Sequence, residues 1–213
     1  NIASKQKVIA VSSTVSGEGK SFIALNLGAV LALSKKRVVL VDLDMRKAKG
    51  MPSFQTDNSR GVSTILIRKN SWEECLVNTP LESFDFIPAG PHPPNPSELL
   101  LNGEFEDLLA TLRQSYDYII LDTPPVGLVT DGIMAMRRAD LSIYVFRANY
   151  SKRDFVSTLQ RVINLNKFSN VTTVLNAIPS NSKTYGYEYY IDPARPKAKL
   201  GAQVVSHRCS LTT

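Results

Sequence analysis

The run Ser16-Gly17-Glu18-Gly19-Lys20-Ser21 lies between an apolar stretch, Val8-Ile9-Ala10-Val11, and a segment of helical periodicity. Few local patterns restrict a fold so tightly. Gly17 and Gly19 permit a sharp backbone turn that aims successive N–H groups at an anion. A helix starting at Lys20 adds the positive end of its dipole. Lys20 can reach the outer phosphates of a nucleotide, and the Ser21 hydroxyl can ligate Mg²⁺. Strand, glycine loop, Lys-Ser and helix together predict a phosphate-binding loop, with Ser16, Gly17, Glu18, Gly19, Lys20, Ser21 and Phe22 as its nucleotide contacts.

A plain Gly-x-Gly turn needs no Lys-Ser after it. A dinucleotide-binding crossover is a closer rival, because Gly17-x-Gly19 follows a strand and Asp42 lies downstream at about the right distance. Phe22 stands where that motif needs its third Gly, and Lys20 has no role in it. The strict eight-residue phosphate-loop pattern departs too, with Thr14 at its first Gly position.

With 213 residues, 43% hydrophobic and 21% charged, the chain reads as a soluble protein with one large core-forming domain. The net charge is +6, with basic clusters at Lys35-Lys36-Arg37, Arg46-Lys47-x-Lys49, Arg137-Arg138 and Lys152-Arg153. Such clusters suit an anionic surface, whether ATP, nucleic acid or a lipid headgroup, but scattered basic pairs are more often ordinary solvated faces, and no nucleic-acid partner is expected. Cys75 and Cys209 show no paired spacing, and His92 and His207 are the only histidines. Neither a zinc site nor a Ser/His/Asp triad is supported, and reduced thiols fit a cytoplasmic setting. The longest apolar stretch, Phe22 to Leu33, is too short to span a bilayer and contains Asn26.

Strands are expected at 7–13, 37–41, 84–88, 118–121, 141–146 and 171–176. Helices are expected at 20–34, 61–67, 72–77, 97–101, 104–115, 131–138 and 152–165, with Ser97 as an N-cap. Continuous apolar strands alternating with helices predict a three-layer α/β fold of the phosphate-loop NTPase kind, its mostly parallel sheet covered by helices on both faces. Ligands in such sheets sit at the C-terminal strand ends. The phosphate-loop domain is read as residues 1–178, a flexible tyrosine-rich tail as 179–192, and a disordered end, in part a cloning remnant, as 193–213.

Acids follow the strands. Val38-Val39-Leu40-Val41 runs into Asp42-Leu43-Asp44-Met45-Arg46, and Ile119-Ile120-Leu121 runs into Asp122. Carboxylates at the end of a buried strand are costly unless they serve a cation or a proton. Alternatively, Asp42 caps a loop and Asp44 pairs with Arg46. Asn176, closing the last strand, is a candidate adenine contact. Of eight tyrosines, Tyr185, Tyr187, Tyr189 and Tyr190 crowd into six residues near the end. They read either as a strand offered to a partner's edge or as phosphate acceptors.

These motifs make the chain similar to the bacterial tyrosine kinases, the cytoplasmic kinase domains of exopolysaccharide and capsule systems, over about residues 5–192. The family's modified phosphate loop is matched by Ser12 to Ser21, its Asp-x-Asp-x-Arg by Asp42, Asp44 and Arg46, and its Asp-Thr-Pro-Pro by Asp122 to Pro125. Pro93 to Leu100 and the tyrosine cluster match as well. The resemblance implies a kinase that uses ATP and Mg²⁺ and phosphorylates Tyr185, Tyr187, Tyr189 and Tyr190 in another copy of itself. It implies Lys20, Asp42, Asp44 and Asp122 as catalytic residues and Ser21, Asp44 and Asp122 as metal ligands. Asp42 is the better candidate for the tyrosine proton, though the roles of Asp42 and Asp44 stay interchangeable. Implied partners are a ring of further copies, a membrane-embedded polysaccharide co-polymerase region and a cognate phosphatase, at the cytoplasmic face of the inner membrane. Ser16 replaces the family's usual Pro. The Glu-x-x-Arg-x-x-Arg helix and membrane segments of the family are not found in these residues, so a fragment or a different assembly is expected. A partitioning-type dimeric ATPase is the alternative, but Val15 stands where such proteins carry a second lysine. A non-catalytic interaction module is the third reading.

Overall fold

The central apolar runs, 8–13 and 38–42, become strands buried on both faces of one sheet, whereas 171–176 nearer its margin is only partly buried. The computed structural model describes residues 8–46, 58–127, 130–179 and 202–203. Its parallel strands are β1 (Val8–Ser13), β2 (Val38–Asp42), β4 (Phe84–Ile87), β5 (Tyr118–Asp122), β6 (Leu141–Arg147) and β7 (Val171–Asn176). Two short strands, β3 (Val77–Asn78) and β8 (Ala202–Gln203), pair antiparallel at the margins. The order is β3-β4-β2-β5-β1-β6-β7-β8. Four residues of β2, Val38 to Val41, are wholly buried, which explains their lack of polar alternation.

Helix α1 (Lys20–Leu33) covers one face, packing Ile23, Ala24 and Ala32 over a cluster that includes Val11, Phe84, Phe86 and Ile120. The other face is covered by α2 (Val62–Leu66), α3 (Pro96–Leu101), α4 (Gly103–Ser115), α5 (Asp131–Arg138) and α6 (Asp154–Asn166). Val62, Leu100, Phe105, Leu112, Ala135 and Leu159 are among their buried contributions to that layer. The three-layer architecture expected from the alternating pattern is the one found.

Two local expectations change. Residues 72–77 form only a single 3-10 turn, Glu73–Cys75. The Glu74 carboxylate accepts the Ser71 N–H and the Asn70 amide, closing the turn tightly, and Val77 is already paired with Phe86 in the sheet. Ser97 is not an N-cap. Helix α3 begins at Pro96, and the Ser97 hydroxyl turns instead to Arg46 and Asp131. Tyr185, Tyr187, Tyr189 and Tyr190 lie outside the described residues. Of the stretch read as the chain's end, Ala202–Gln203 is described, paired with β7.

Gly28 lets α1 lie close on the sheet. A Cβ there would come within 2.6 Å of the Phe84 ring, itself buried. Gly28→Val therefore lowers stability by about 1–3 kcal/mol through overpacking. A thermal melt reads this as a drop of roughly 2–4 °C per kcal/mol, and Gly28→Val with Phe84→Leu recovers part of it. An unshifted melt would contradict this packing.

Candidate active site

Five parallel strands end on polar residues: Ser13 on β1, Asp42 on β2, Asp122 on β5, Arg147 on β6 and Asn176 on β7. Because the strands run parallel, these side chains gather along one edge of the sheet. The phosphate-loop candidate leaves β1 at this edge. Gly17 and Gly19 adopt φ of 90° and 97°, in the left-handed region that glycine enters without strain. Gly19 is also the N-cap of α1, and its carbonyl accepts the Ile23 N–H at 3.0 Å.

Glu18 is fully buried. Its carboxylate accepts the Val15 N–H at 2.8 Å and the Ser151 hydroxyl, so the side chain shapes the loop from within. Asn176 lies against Gly19. Its amide nitrogen donates to the Glu18 carbonyl at 3.1 Å, and its oxygen accepts the Ala177 N–H at 2.8 Å. A Cβ on Gly19 would stand 2.1 Å from that nitrogen, so close approach requires glycine as much as the backbone angle does. Thr14 also finds its reason. Its hydroxyl shares a buried 2.9 Å hydrogen bond with Tyr144, and its carbonyl accepts the Gly127 N–H at 3.0 Å. Ser16 and Phe22 are exposed on the loop and on the first turn of α1.

Asp42 and Asp122 are register partners on adjacent strands, both buried. The Leu43 N–H donates to the Asp122 carbonyl at 2.8 Å and the Asp44 N–H to the Asp42 carboxylate at 2.9 Å. Burial, reinforced by the charge of Asp122, pushes the Asp42 carboxyl up to about 7, against the pull of the Asp44 N–H and Lys20. Burial likewise lifts Asp122 to about 6, against the Ser21 hydroxyl bonded to it and the Lys20 charge. Lys20 is itself buried, so its charge acts on both acids at low screening.

The residues fit a hard divalent cation. Oδ1 of Asp122 is buried with no hydrogen-bond partner, on the carboxylate that Ser21 touches. Such an atom is expensive to leave unsatisfied. Among the described residues, no group of three or more His, Cys, Asp or Glu side chains forms a metal cage. A Mg²⁺ site completed by phosphate oxygens and water does not require one.

Arg46 closes the other side of the acid loop. Its Nε donates to Asp131 at 2.8 Å and its Nη2 to Ser97 at 2.9 Å, while the Ser97 hydroxyl donates to Asp131 at 2.5 Å. Asp131 is almost wholly buried at the start of α5. The His92 Nδ1–H donates to the Met45 carbonyl at 2.8 Å. Asp131, Ser97 and His92 were not legible as site residues from sequence, nor were Arg147, Tyr150 and Ser151. The one available signal was Arg147, a charged residue at a strand end.

A carboxyl whose folded pKa is raised favours the folded state most below its unfolded pKa, near 3.8, and loses that contribution as pH rises through about 7. Asp42→Asn removes the loss. In the absence of nucleotide and metal, the variant melts several degrees above the parent at pH 8, and the gap closes toward pH 4. A constant gap across that range would contradict the assigned burial of Asp42.

The AAA domain family matches residues 6–173 of the chain. A tyrosine-protein kinase wzc of Salmonella typhimurium is 37% identical over 175 residues, covering 81% of this chain and 24% of the relative. The tyrosine-protein kinase YwqD of Bacillus subtilis is 30% identical over 184 residues, covering 86% of this chain and 78% of the relative. The chain thus spans about a quarter of the wzc-type relatives and most of YwqD. The kinase domain of Escherichia coli tyrosine kinase ETK superposes with a TM-score of 0.77 at 29% identity, covering 88% of this chain and 75% of that one. A plasmid partition protein of Borrelia burgdorferi bound to AMPPNP shares the fold at a TM-score of 0.65 and 23% identity, with 83% and 76% covered. By the family model over residues 6–173 and the 30% identity to YwqD over most of both chains, the chain belongs to the AAA-domain family and to the bacterial tyrosine kinases.

Proposed function

We propose that this chain is an ATP-dependent protein tyrosine kinase acting on the tyrosine cluster, Tyr185, Tyr187, Tyr189 and Tyr190, of a second copy. The observation that carries the reading is the meeting of Lys20, Ser21, Asp42 and Asp122 at the mouth of one glycine loop. Phosphates rest against the Ser16 to Ser21 backbone, with Lys20 on the outer phosphates. Ser21, Asp44 and Asp122 would hold Mg²⁺, which would supply charge neutralisation to the transferring phosphoryl group. The second N–H of the Asn176 amide is the donor left for the nucleotide, the first being committed to the Glu18 carbonyl.

In the transfer, the tyrosine oxygen bonds to the γ-phosphorus as the bond from that phosphorus to the β–γ bridging oxygen breaks. ADP leaves, and the phenolic proton passes to the Asp42 carboxylate. Asp42 suits this task because it ends β2 beside Asp122 with its orientation fixed by the Asp44 N–H. The wider setting proposed is exopolysaccharide or capsule export at the cytoplasmic face of the inner membrane. There the chain works with a membrane-embedded co-polymerase region, further copies of itself and a phosphatase. Among the described residues no helix is long and apolar enough to cross a membrane.

The test is incubation with Mg-ATP at high protein concentration, followed by mass spectrometry of the peptides holding the four tyrosines. Phosphate appears on them in the parent chain. Lys20→Met and Asp122→Asn fall below about 1% of the parent rate, the loss typical of removing one charge-stabilising group. ATP hydrolysis without phosphotyrosine would overturn the kinase reading and favour the partitioning-type ATPase.

A further inference from the structure

The phosphate loop is held from outside by a turn that the chemistry above does not use. β6 ends at Arg147, and residues 147–151 close on themselves: the Ser151 N–H donates to the Arg147 carbonyl at 2.9 Å and the Arg147 N–H to the Ser151 hydroxyl at 2.8 Å. Asn149 takes φ of 57°, a conformation that Asn tolerates better than most residues. The Ala148 N–H donates to the Asn176 carbonyl at 2.8 Å, fixing the turn to β7.

This turn places three side chains on the loop. The Tyr150 hydroxyl donates to the Ser16 carbonyl at 2.9 Å. Arg147 Nη1 donates to the Gly17 carbonyl at 3.0 Å, and its guanidinium lies 5.3 Å from the centroid of the Tyr150 ring. The Ser151 hydroxyl donates to the Glu18 carboxylate, and Asn176 takes the Glu18 carbonyl. Tyr150 also comes so close that a Cβ on Gly17 would stand 3.0 Å from its oxygen.

Three consecutive carbonyls are therefore drawn to one side. In a planar trans peptide, the C=O of one residue and the N–H of the next point in opposite directions. Holding the carbonyls of Ser16, Gly17 and Glu18 outward turns the N–H groups of Gly17, Glu18 and Gly19 inward, toward the concave side where an anion would sit. We infer that Arg147, Tyr150 and Ser151 form one positioning unit that presets this nest, so that nucleotide affinity is set in part by the β6–α6 turn. Arg147 adds positive potential on the outer side of the loop. The inference rests on reading the loop as the nucleotide site, not on the transfer of phosphate.

Titration of the full chain with Mg-ADP, read by calorimetry, tests it without requiring kinase activity. Tyr150→Phe keeps the ring and its contact with Arg147 and loses only the donor. Its dissociation constant rises roughly 5-fold, the size of one net hydrogen bond. Arg147→Lys keeps charge and a donor and loses less than Arg147→Met. In ATP-dependent turnover the loss appears in KM rather than in kcat. The ligand-free melting temperature of Tyr150→Phe stays at the parent value. Unchanged affinity would overturn the inference, as would an affinity loss accompanied by a matching loss of melting temperature, which marks a merely structural role. Nucleotide binding that responds as described, with no phosphotyrosine formed, would sink the kinase reading and leave this one standing.

Discussion

Two carboxylates buried side by side on neighbouring parallel strands set the condition that the rest of the edge must meet. Strands in a sheet lie about 4.8 Å apart, and Asp42 and Asp122 occupy the same register level with little water between them. Each disfavours the charged form of the other, and burial disfavours both. The surrounding groups answer that repulsion. Lys20 is buried with them, Ser21 bonds to Asp122, and the Asp44 N–H bonds to Asp42. What is left over, an unpaired oxygen on Asp122, has the chemistry of a cation ligand.

The site has two halves, built from opposite sides of β1. The acids stand on the β2–β5 side, where Arg46, Asp131, Ser97 and His92 brace their loop against α3 and α5. The phosphate loop leans the other way, onto the turn after β6 and the end of β7. The halves meet at the first residues of α1, where Lys20 and Ser21 face the acids. Each half can be disturbed without contact with the other, yet both act on that one helix terminus.

Much of this was legible in sequence for a simple reason. A strand buried on both faces is an unbroken apolar run, and a polar residue at its end has to be accounted for. Val38 to Asp42 and Ile119 to Asp122 display that change from one residue to the next, and Gly17 to Ser21 carries its chemistry in its composition. The bracing residues do not. Arg147-Ala148-Asn149-Tyr150-Ser151 reads as an ordinary polar turn, because nothing in it reveals that Asn149 reverses the chain and returns Tyr150 to Gly17. Ser97 resembled a helix cap because local spacing favours that role, and a partner 34 residues away prevailed. Residues 72–77 had helical spacing, but pairing of Val77 with Phe86 drew the chain into the sheet. Long-range partners decide such cases, and a window of neighbouring residues does not contain them.

Gly28 bears on more than the snugness of α1. Eight residues separate it from Lys20, a lever of roughly 12 Å at the helical rise. Were a bulkier side chain at position 28 to prop the helix off Phe84 by about 5°, the Lys20 end would swing by about 1 Å, enough misplacement to cost on the order of a hundredfold in rate. The glycine thus works as a height gauge for Lys20, two turns away. On the proposed kinase reading, a bulkier residue there would cost rate before it cost the fold.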